Sequence, residues 1–422
     1  MHSDTKTLKD KKMNIDVDKL IEKAQNELQL KFAECDEISL FNQEKVLNAF
    51  RKNKIALRHF NATTGYGYDD AGRDTLRKVF ADTFGTEDAL VSPYFTTGTH
   101  TISTALFGLL RPNDTLLSIS GAPYDTLADV IKGKNVGSLK DFGINYRQVD
   151  LTSEGNFNKQ AISDALKKEH SIIYIQRSRG YSFRNAFTVE DIGDIVKFVR
   201  QFSDKPIIVD NCYGEFTQKK EPTEVGADLI MGSLIKNPGG GLASTGGYIA
   251  GKKHLIQKIA YRMTAPGVGD EVGSYSSGYR LFYQGFFMAP HVTMQAVKSA
   301  LTFSKVFRML GYNAMPSDNT IMSDIICSIK FDTKEQLISF IQSIQYVSPV
   351  DSFVTPLPWD MPGYADQVIM AAGAFVQGSS IELSADSPIK EPYIAYLQGG
   401  LTYEHAIIAI KKCIESIITL QC

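Results

Sequence analysis

Long apolar runs are missing from this 422-residue chain. Stretches such as Ile102 to Leu110 fall well short of the about 18 residues that a membrane-spanning helix needs, so no bilayer crossing is expected. An excess of either charge is missing too. Forty-five Lys and Arg stand against 47 Asp and Glu, a formal charge of −2, so no net field draws the protein to nucleic acid or an anionic membrane. Paired cysteines are absent: Cys35, Cys212, Cys327, Cys413 and Cys422 are scattered, odd in number and without a CxxC spacing, which argues against a disulfide framework and a zinc knuckle. The seven His residues show no metal-ligand spacing, so no metal site is expected. The start, MHSDTKTLKDKKMNID, has no apolar core of a secretory signal, which makes a cytoplasmic location the expectation, with the first dozen residues a frayed leader.

What is present is the balance of an ordinary folded protein, 43% apolar and 22% charged residues. The length exceeds the roughly 250–300 residues at which single cores stop growing, so more than one domain is expected. Apolar residues from Val17 to Arg51 recur at helical spacing, and Arg73 to Phe84 forms another helical pattern. Short β-rich runs then alternate with helical segments: Asp88–Ser92, Thr115–Ser120, Asn145–Val149, Ser171–Gln176, Pro206–Val209, Leu229–Met231 and Gly247–Ala250. Such alternation predicts an α/β fold with a mostly parallel, doubly wound sheet and ligands at the carboxyl ends of its strands. Near Pro290 the pattern shifts to a long helix ending near Leu310. Strand-like runs follow at Ile325–Ile329, Val368–Ala374 and Ser379–Leu383, with helices at Lys334–Ile344 and Thr402–Leu420, as in a smaller α+β domain. The expected division is an N-terminal helical arm over 1–60, a large domain over 61–290 and a small C-terminal domain over 291–422.

Four features fall on the carboxyl ends of the predicted strands. Thr96-Thr97-Gly98-Thr99-His100 precedes an apolar helix, so free N–H groups and the positive end of a helix dipole meet at one place, as an anion site requires. Tyr124 lies in a Gly-Pro loop just past the strand ending at Ser120. Asp210 directly follows a buried strand, where a carboxylate needs a cation or a donor. Ser233 and Lys236 follow the strand ending at Met231, and a glycine-rich loop comes next. Each has a plain structural reading as a cap, packing, turn or solvated charge. Together, with the lysine 26 residues after the aspartate, they are the parts that hold pyridoxal phosphate (PLP): an anion cradle, a stacking aromatic, a carboxylate for the pyridinium nitrogen and a lysine for the Schiff base.

The blocks YGYDDAGRDTL, TGTHTISTALFGLLRP, PYDTLADVI, QRSRGYSFR, VDNCYGEF, EPTEVGADLIMGSLIKNPGGGLASTGGYIAG and GSSIELSADSPIKEPYIAYLQGGLTYEH carry the identity further. From about Lys19 to the end the chain resembles the methionine gamma-lyase family, including proteins called aluminium-resistance or cystathionine beta-lyase-like. This is a branch of the aspartate-aminotransferase-like fold, type I of the PLP enzymes. The resemblance implies that Lys236 carries PLP as a Schiff base, Asp210 pairs with its pyridinium, Tyr124 stacks on the ring, and Gly98, Thr99 and Ser233 hold the phosphate. It also implies a homo-oligomer, dimer or tetramer, with Tyr66 and Tyr68 as candidates to complete a neighbour's site.

Two departures from the family pattern stand out. Thr97 replaces the usual serine of the anion loop and keeps a hydroxyl. Lys390 stands where an arginine is usual, and no Arg follows Arg308. Since an arginine fork is the usual partner of a substrate carboxylate, the candidates here become Lys390 and Arg179 of the Arg177, Arg179, Arg184 cluster. Gly246 to Lys253 nearly matches a P-loop but lacks the final Ser or Thr and has a strand pattern. The expected activity is carbon–sulfur bond elimination from a small-molecule substrate, a sulfur amino acid, giving a 2-oxo acid, ammonia and a thiol. Transamination, racemisation or replacement on the same cofactor is the alternative, and a non-catalytic metal-tolerance role is the alternative of another class.

Overall fold

The computed structural model describes residues 16–361 and 366–421. The leader expected over the first dozen residues lies outside them. The chain divides into two compact units. One takes in the chain up to Glu37, Val292–Thr320 and Ile325 onward; the other takes in Ile38–His291 and Ile321–Asp324. The 1–60 stretch is thus shared between the two at Glu37.

The unit built on Ile38–His291 holds a seven-stranded sheet. Its strands are β1 (Asp88–Ser92), β2 (Thr115–Ser118), β3 (Asn145–Gln148), β4 (Ile172–Gln176), β5 (Ile207–Asp210), β6 (Leu229–Ser233) and β7 (Gly247–Gly251), in the order β1-β7-β6-β5-β4-β2-β3. Only β7 runs against its neighbours. The central strands are apolar on both faces. Ile173, Ile175, Ile207, Val209 and Ile230 enter one core, whereas Ile172, Tyr174, Ile208, Leu229 and Met231 enter the other. A strand buried on both sides cannot face water, so helices cover both faces, as the continuous apolar runs implied. The helices Ala71–Thr83 and Gly98–Leu109 begin where short polar side chains cap them. Asp70 Oδ1 accepts the Arg73 N–H at 3.0 Å and Thr97 Oγ1 accepts the His100 N–H at 2.9 Å.

The other unit holds an antiparallel sheet of β8 (Asn313–Met315), β9 (Ile326–Lys330), β10 (Val368–Ala371), β11 (Ser384–Pro388) and β12 (Ile394–Gln398), in the order β10-β11-β12-β9-β8. Here the sequence pattern misled in places. The strand expected at Ser379–Leu383 lies five residues later as β11, because that stretch is a turn whose Glu382 carboxylate accepts the N–H groups of Phe375 (2.8 Å) and Val376 (2.9 Å). β8 and β12 carried no signal strong enough to be expected. The long helix starts at Arg280 rather than near Pro290, since Phe282, Tyr283, Phe286 and Ala289 already bury a helical stripe ahead of the proline.

Candidate active site

Parallel pairing brings the chemistry-bearing residues together. Gln176 at the end of β4 is level with Asp210 at the end of β5, and Asp210 is level with Met231 of β6, two residues before Ser233. The helix Gly98–Leu109 points its N-terminus at the same edge: a β-carbon on Gly98 would lie 3.6 Å from Ser233 Cβ and 3.7 Å from Cys212 Sγ. Of the features expected from sequence, Gly98, Thr99, Tyr124, Asp210, Ser233 and Lys236 all belong to this unit.

Asp210 is buried, accepts the Cys212 N–H at 3.1 Å through Oδ1 and the Tyr174 hydroxyl at 3.4 Å through Oδ2. Burial pushes its carboxyl above the usual range, and the charge of Lys236 is the main opposing pull. For Lys236, burial pulls the ammonium down. The acidic groups around it, Cys212, Tyr213, Asp210 and Tyr124, push it up by more, so the net shift is upward. Its Nζ stands 3.9 Å from the centre of the Tyr213 ring. The Tyr124 hydroxyl donates to Thr99 Oγ1 at 3.0 Å, and the Tyr124 N–H donates to Gln176 Oε1 at 2.8 Å, so the tyrosine is pinned between the helix start and the end of β4. Burial above all, then the neighbouring Asp210, drives the Tyr124 phenol pKa up, which keeps it a proton carrier at neutral pH.

The residues fit PLP. The first-turn N–H groups of Gly98 and Thr99 have no partner within their own helix. The Ser233 hydroxyl reaches Gly246 O only at 3.5 Å, the outer limit of a hydrogen bond, so its proton is available to an anion. Asp210 keeps acceptor capacity for a ring N–H, the kind of positive group that a buried carboxylate requires.

The remaining candidates are placed as follows. Tyr66 and Tyr68 are 73% and 65% exposed, with ring centres 5.7 Å apart, and the Tyr66 carbonyl accepts the Gly273 N–H. Arg179 is buried, and its Nε and Nη2 grip both oxygens of Asp324 at 2.9 Å. Its Nη1 is buried with no hydrogen-bond partner among the described residues. Lys390 belongs to the other unit, where its ammonium, on a side chain 59% exposed, pairs with Asp366 at 2.8 Å. Arg177 is a structural cation: it bonds Asn211 Oδ1 at 2.8 Å and lies 3.6 Å from Glu221.

Sequence reasoning missed Glu215 and Tyr213. Glu215 is fully buried, accepts the Tyr248 hydroxyl at 2.8 Å through Oε1, and has no partner for Oε2 among the described residues. Burial pushes its carboxyl up to about 8, so it carries a proton at neutral pH. A carboxyl raised in the folded state stabilises the fold below the ordinary carboxylate range, and that contribution is lost as pH climbs to about 8. Glu215→Gln is therefore expected to gain melting temperature over the native protein progressively between about pH 5 and 8, with a constant gap above. Thermal unfolding across that range checks this, and a variant less stable at every pH would contradict it.

The doubly wound sheet, with a lysine, a buried carboxyl and a helix N-terminus at its carboxyl edge, has the fold of the type I PLP enzymes. The Escherichia coli PLP-dependent protein YhfS shares that fold at a TM-score of 0.61 and 15% identity, over 90% of this chain and 97% of that one. The chain belongs to the methionine gamma-lyase family, whose model matches residues 17–418. It is 50% identical over 392 residues to the uncharacterized protein YnbB of Bacillus subtilis (strain 168), covering 92% of this chain and 93% of that one. It is also 53% identical to a carbon-sulfur lyase involved in aluminum resistance from Clostridium novyi NT, with a TM-score of 0.91 and 99% of each chain covered. Among the described residues no helix is long and apolar enough to cross a membrane, and no group of three or more side chains can hold a metal ion.

Proposed function

We propose that the protein is a PLP-dependent carbon–sulfur lyase that acts on a sulfur-containing amino acid and releases a 2-oxo acid, ammonia and a thiol. The observation that carries this reading is the convergence of Lys236, Asp210 and the Gly98–Ser233 cradle on one sheet edge, in a chain of the methionine gamma-lyase family. Gly98, Thr99 and Ser233 would hold the cofactor phosphate, Lys236 would bond it as a Schiff base, and Tyr124 would lie against its ring. When bound, the cofactor supplies an electron sink for negative charge at the substrate α-carbon. Asp210 keeps the proton on the ring nitrogen, Lys236 Nζ takes the α proton, and the neutral Tyr124 phenol hands a proton to the departing sulfur. Tyr66 and Tyr68, exposed and paired, are suited to complete the site of a second copy.

The substrate carboxylate needs a cation. An unpartnered buried donor is costly, and Arg179 Nη1, on the loop after β4, has no partner among the described residues, whereas Lys390 is already paired and exposed. We therefore assign the carboxylate to Arg179. Arg179→Lys is expected to raise KM by about tenfold or more, through loss of the fork that also grips Asp324, while Lys390→Ala changes KM less than about twofold. Steady-state kinetics decide; the opposite ranking would transfer the role to Lys390.

The function is tested by incubating purified protein with a panel of sulfur amino acids while measuring thiol and 2-oxo acid together. Equimolar release is expected. Formation of 2-oxo acid without thiol, dependent on an amino-group acceptor, would replace elimination with transamination. The same preparation is expected to scatter light as a dimer or larger, and a fully active monomer would remove Tyr66 and Tyr68 from the site.

A further inference from the structure

The turn after β5 spends a costly conformation on a tyrosine. Tyr213 has φ +71°, in the left-handed region that side chains with a β-carbon rarely occupy, although a glycine stands beside it at 214. That glycine is required where it is: a β-carbon there would lie 2.6 Å from Arg177 Cδ, inside the buried side chain that braces the turn. The strain at 213 therefore has no relief within the turn, and its effect is to lay an aromatic face against Lys236. The Nζ is 3.9 Å from the ring centre, well inside the about 6 Å range of a cation–π contact.

A second observation points the same way. Asn237, fully buried and next in sequence to Lys236, donates through Nδ2 to the carbonyls of Tyr213 and Glu215, each at 3.0 Å. The backbone that leaves Tyr213 is thus tied, at two carbonyls, to the residue that follows the lysine. The other titratable groups that interact with Lys236 include Cys212, Asp210, Tyr124 and Glu215. Of these, burial holds the Cys212 thiol far above its ordinary range.

We propose that Tyr213 is a positioning residue: its ring face holds the Lys236 ammonium whenever that amine is not covalently engaged, and so sets both its proton affinity and its direction of return. The proposal rests on the reading of Lys236 as the reacting amine. An aromatic face stabilises the charged form, so removing it makes the amine easier to deprotonate. The ring, not the hydroxyl, is what matters.

The test uses the full chain freed of PLP, to which PLP is added back across a pH series, with borohydride-trapped cofactor located by mass spectrometry. Capture requires the neutral amine. Tyr213→Phe is expected to match the native protein. Tyr213→Asn keeps a residue tolerant of positive φ and deletes the ring. It is expected to move the half-maximal capture pH of Lys236 down by up to about one unit, so that capture below that pH is up to about tenfold faster, while kcat falls by about tenfold. A merely structural role would slow both. An unchanged capture profile in Tyr213→Asn, with melting temperature and circular dichroism intact, would overturn the proposal. If the native protein traps PLP on a lysine other than Lys236, the functional reading itself fails, which the location of the label shows separately.

Discussion

Lys236→Ala is expected to abolish borohydride-reducible attachment of PLP and to lower turnover by at least about 10³-fold. The expectation follows from position. Lys236 sits three residues past the end of β6, and its charge is the main opposing pull on buried Asp210. On the proposed function both the bond to the cofactor and the movement of the α proton would depend on that one amine, so its loss would remove two functions at once. Mass spectrometry of the reduced protein and steady-state assay check the two separately. Reducible label on a different lysine would end the assignment, and recovery of activity by exogenous small amines would strengthen it.

Asp210→Asn is expected to retain PLP yet lose about 10²- to 10³-fold in turnover, because a neutral amide cannot hold a proton on the ring nitrogen. The substitution keeps the shape of the side chain and an acceptor for the Cys212 N–H. Stability should move the other way. Burial raises the Asp210 carboxyl in the folded chain, so its stabilising contribution is present below the ordinary carboxylate range and is lost as pH rises through the folded value. At neutral pH the PLP-free asparagine variant is therefore expected to melt at a higher temperature than the PLP-free native chain. Calorimetry of both forms, together with the assay, measures the exchange of stability for function. A near-native rate would refute the role proposed for Asp210 at the ring nitrogen, and a lower melting temperature would refute the destabilising effect of its burial.

Much of this was legible in the chain because the signals are local. The two-faced apolar runs of β4, β5 and β6 state their own burial, and a parallel sheet follows from strands that alternate with helices. Thr97 announces the helix start behind Gly98, and Asp210 and Lys236 declare themselves as charges at, or a few residues past, the ends of buried strands. The long sequence blocks were enough to identify the methionine gamma-lyase family. The antiparallel sheet was harder. β8 is three residues long, and the turn ahead of β11 is held by a single carboxylate, neither of which leaves a periodic trace.

Only the tertiary structure decided how charges separated in sequence meet. Arg179 looked free to receive a substrate carboxylate, but its fork grips Asp324, 145 positions away, and leaves only Nη1 without a partner among the described residues. Lys390 stood out as a departure at a site position, yet its ammonium is already matched by Asp366. Glu215 and Tyr213 carried no spacing or motif that marks them. Their properties come from a buried environment and a left-handed turn, and no residue type records either. The chain by itself determined the elements, the family and the positions where chemistry can stand, because those depend on period, capping and local charge. Which donors are spent and which remain depends on burial and on contacts across more than a hundred residues, and these exist only once the chain has folded.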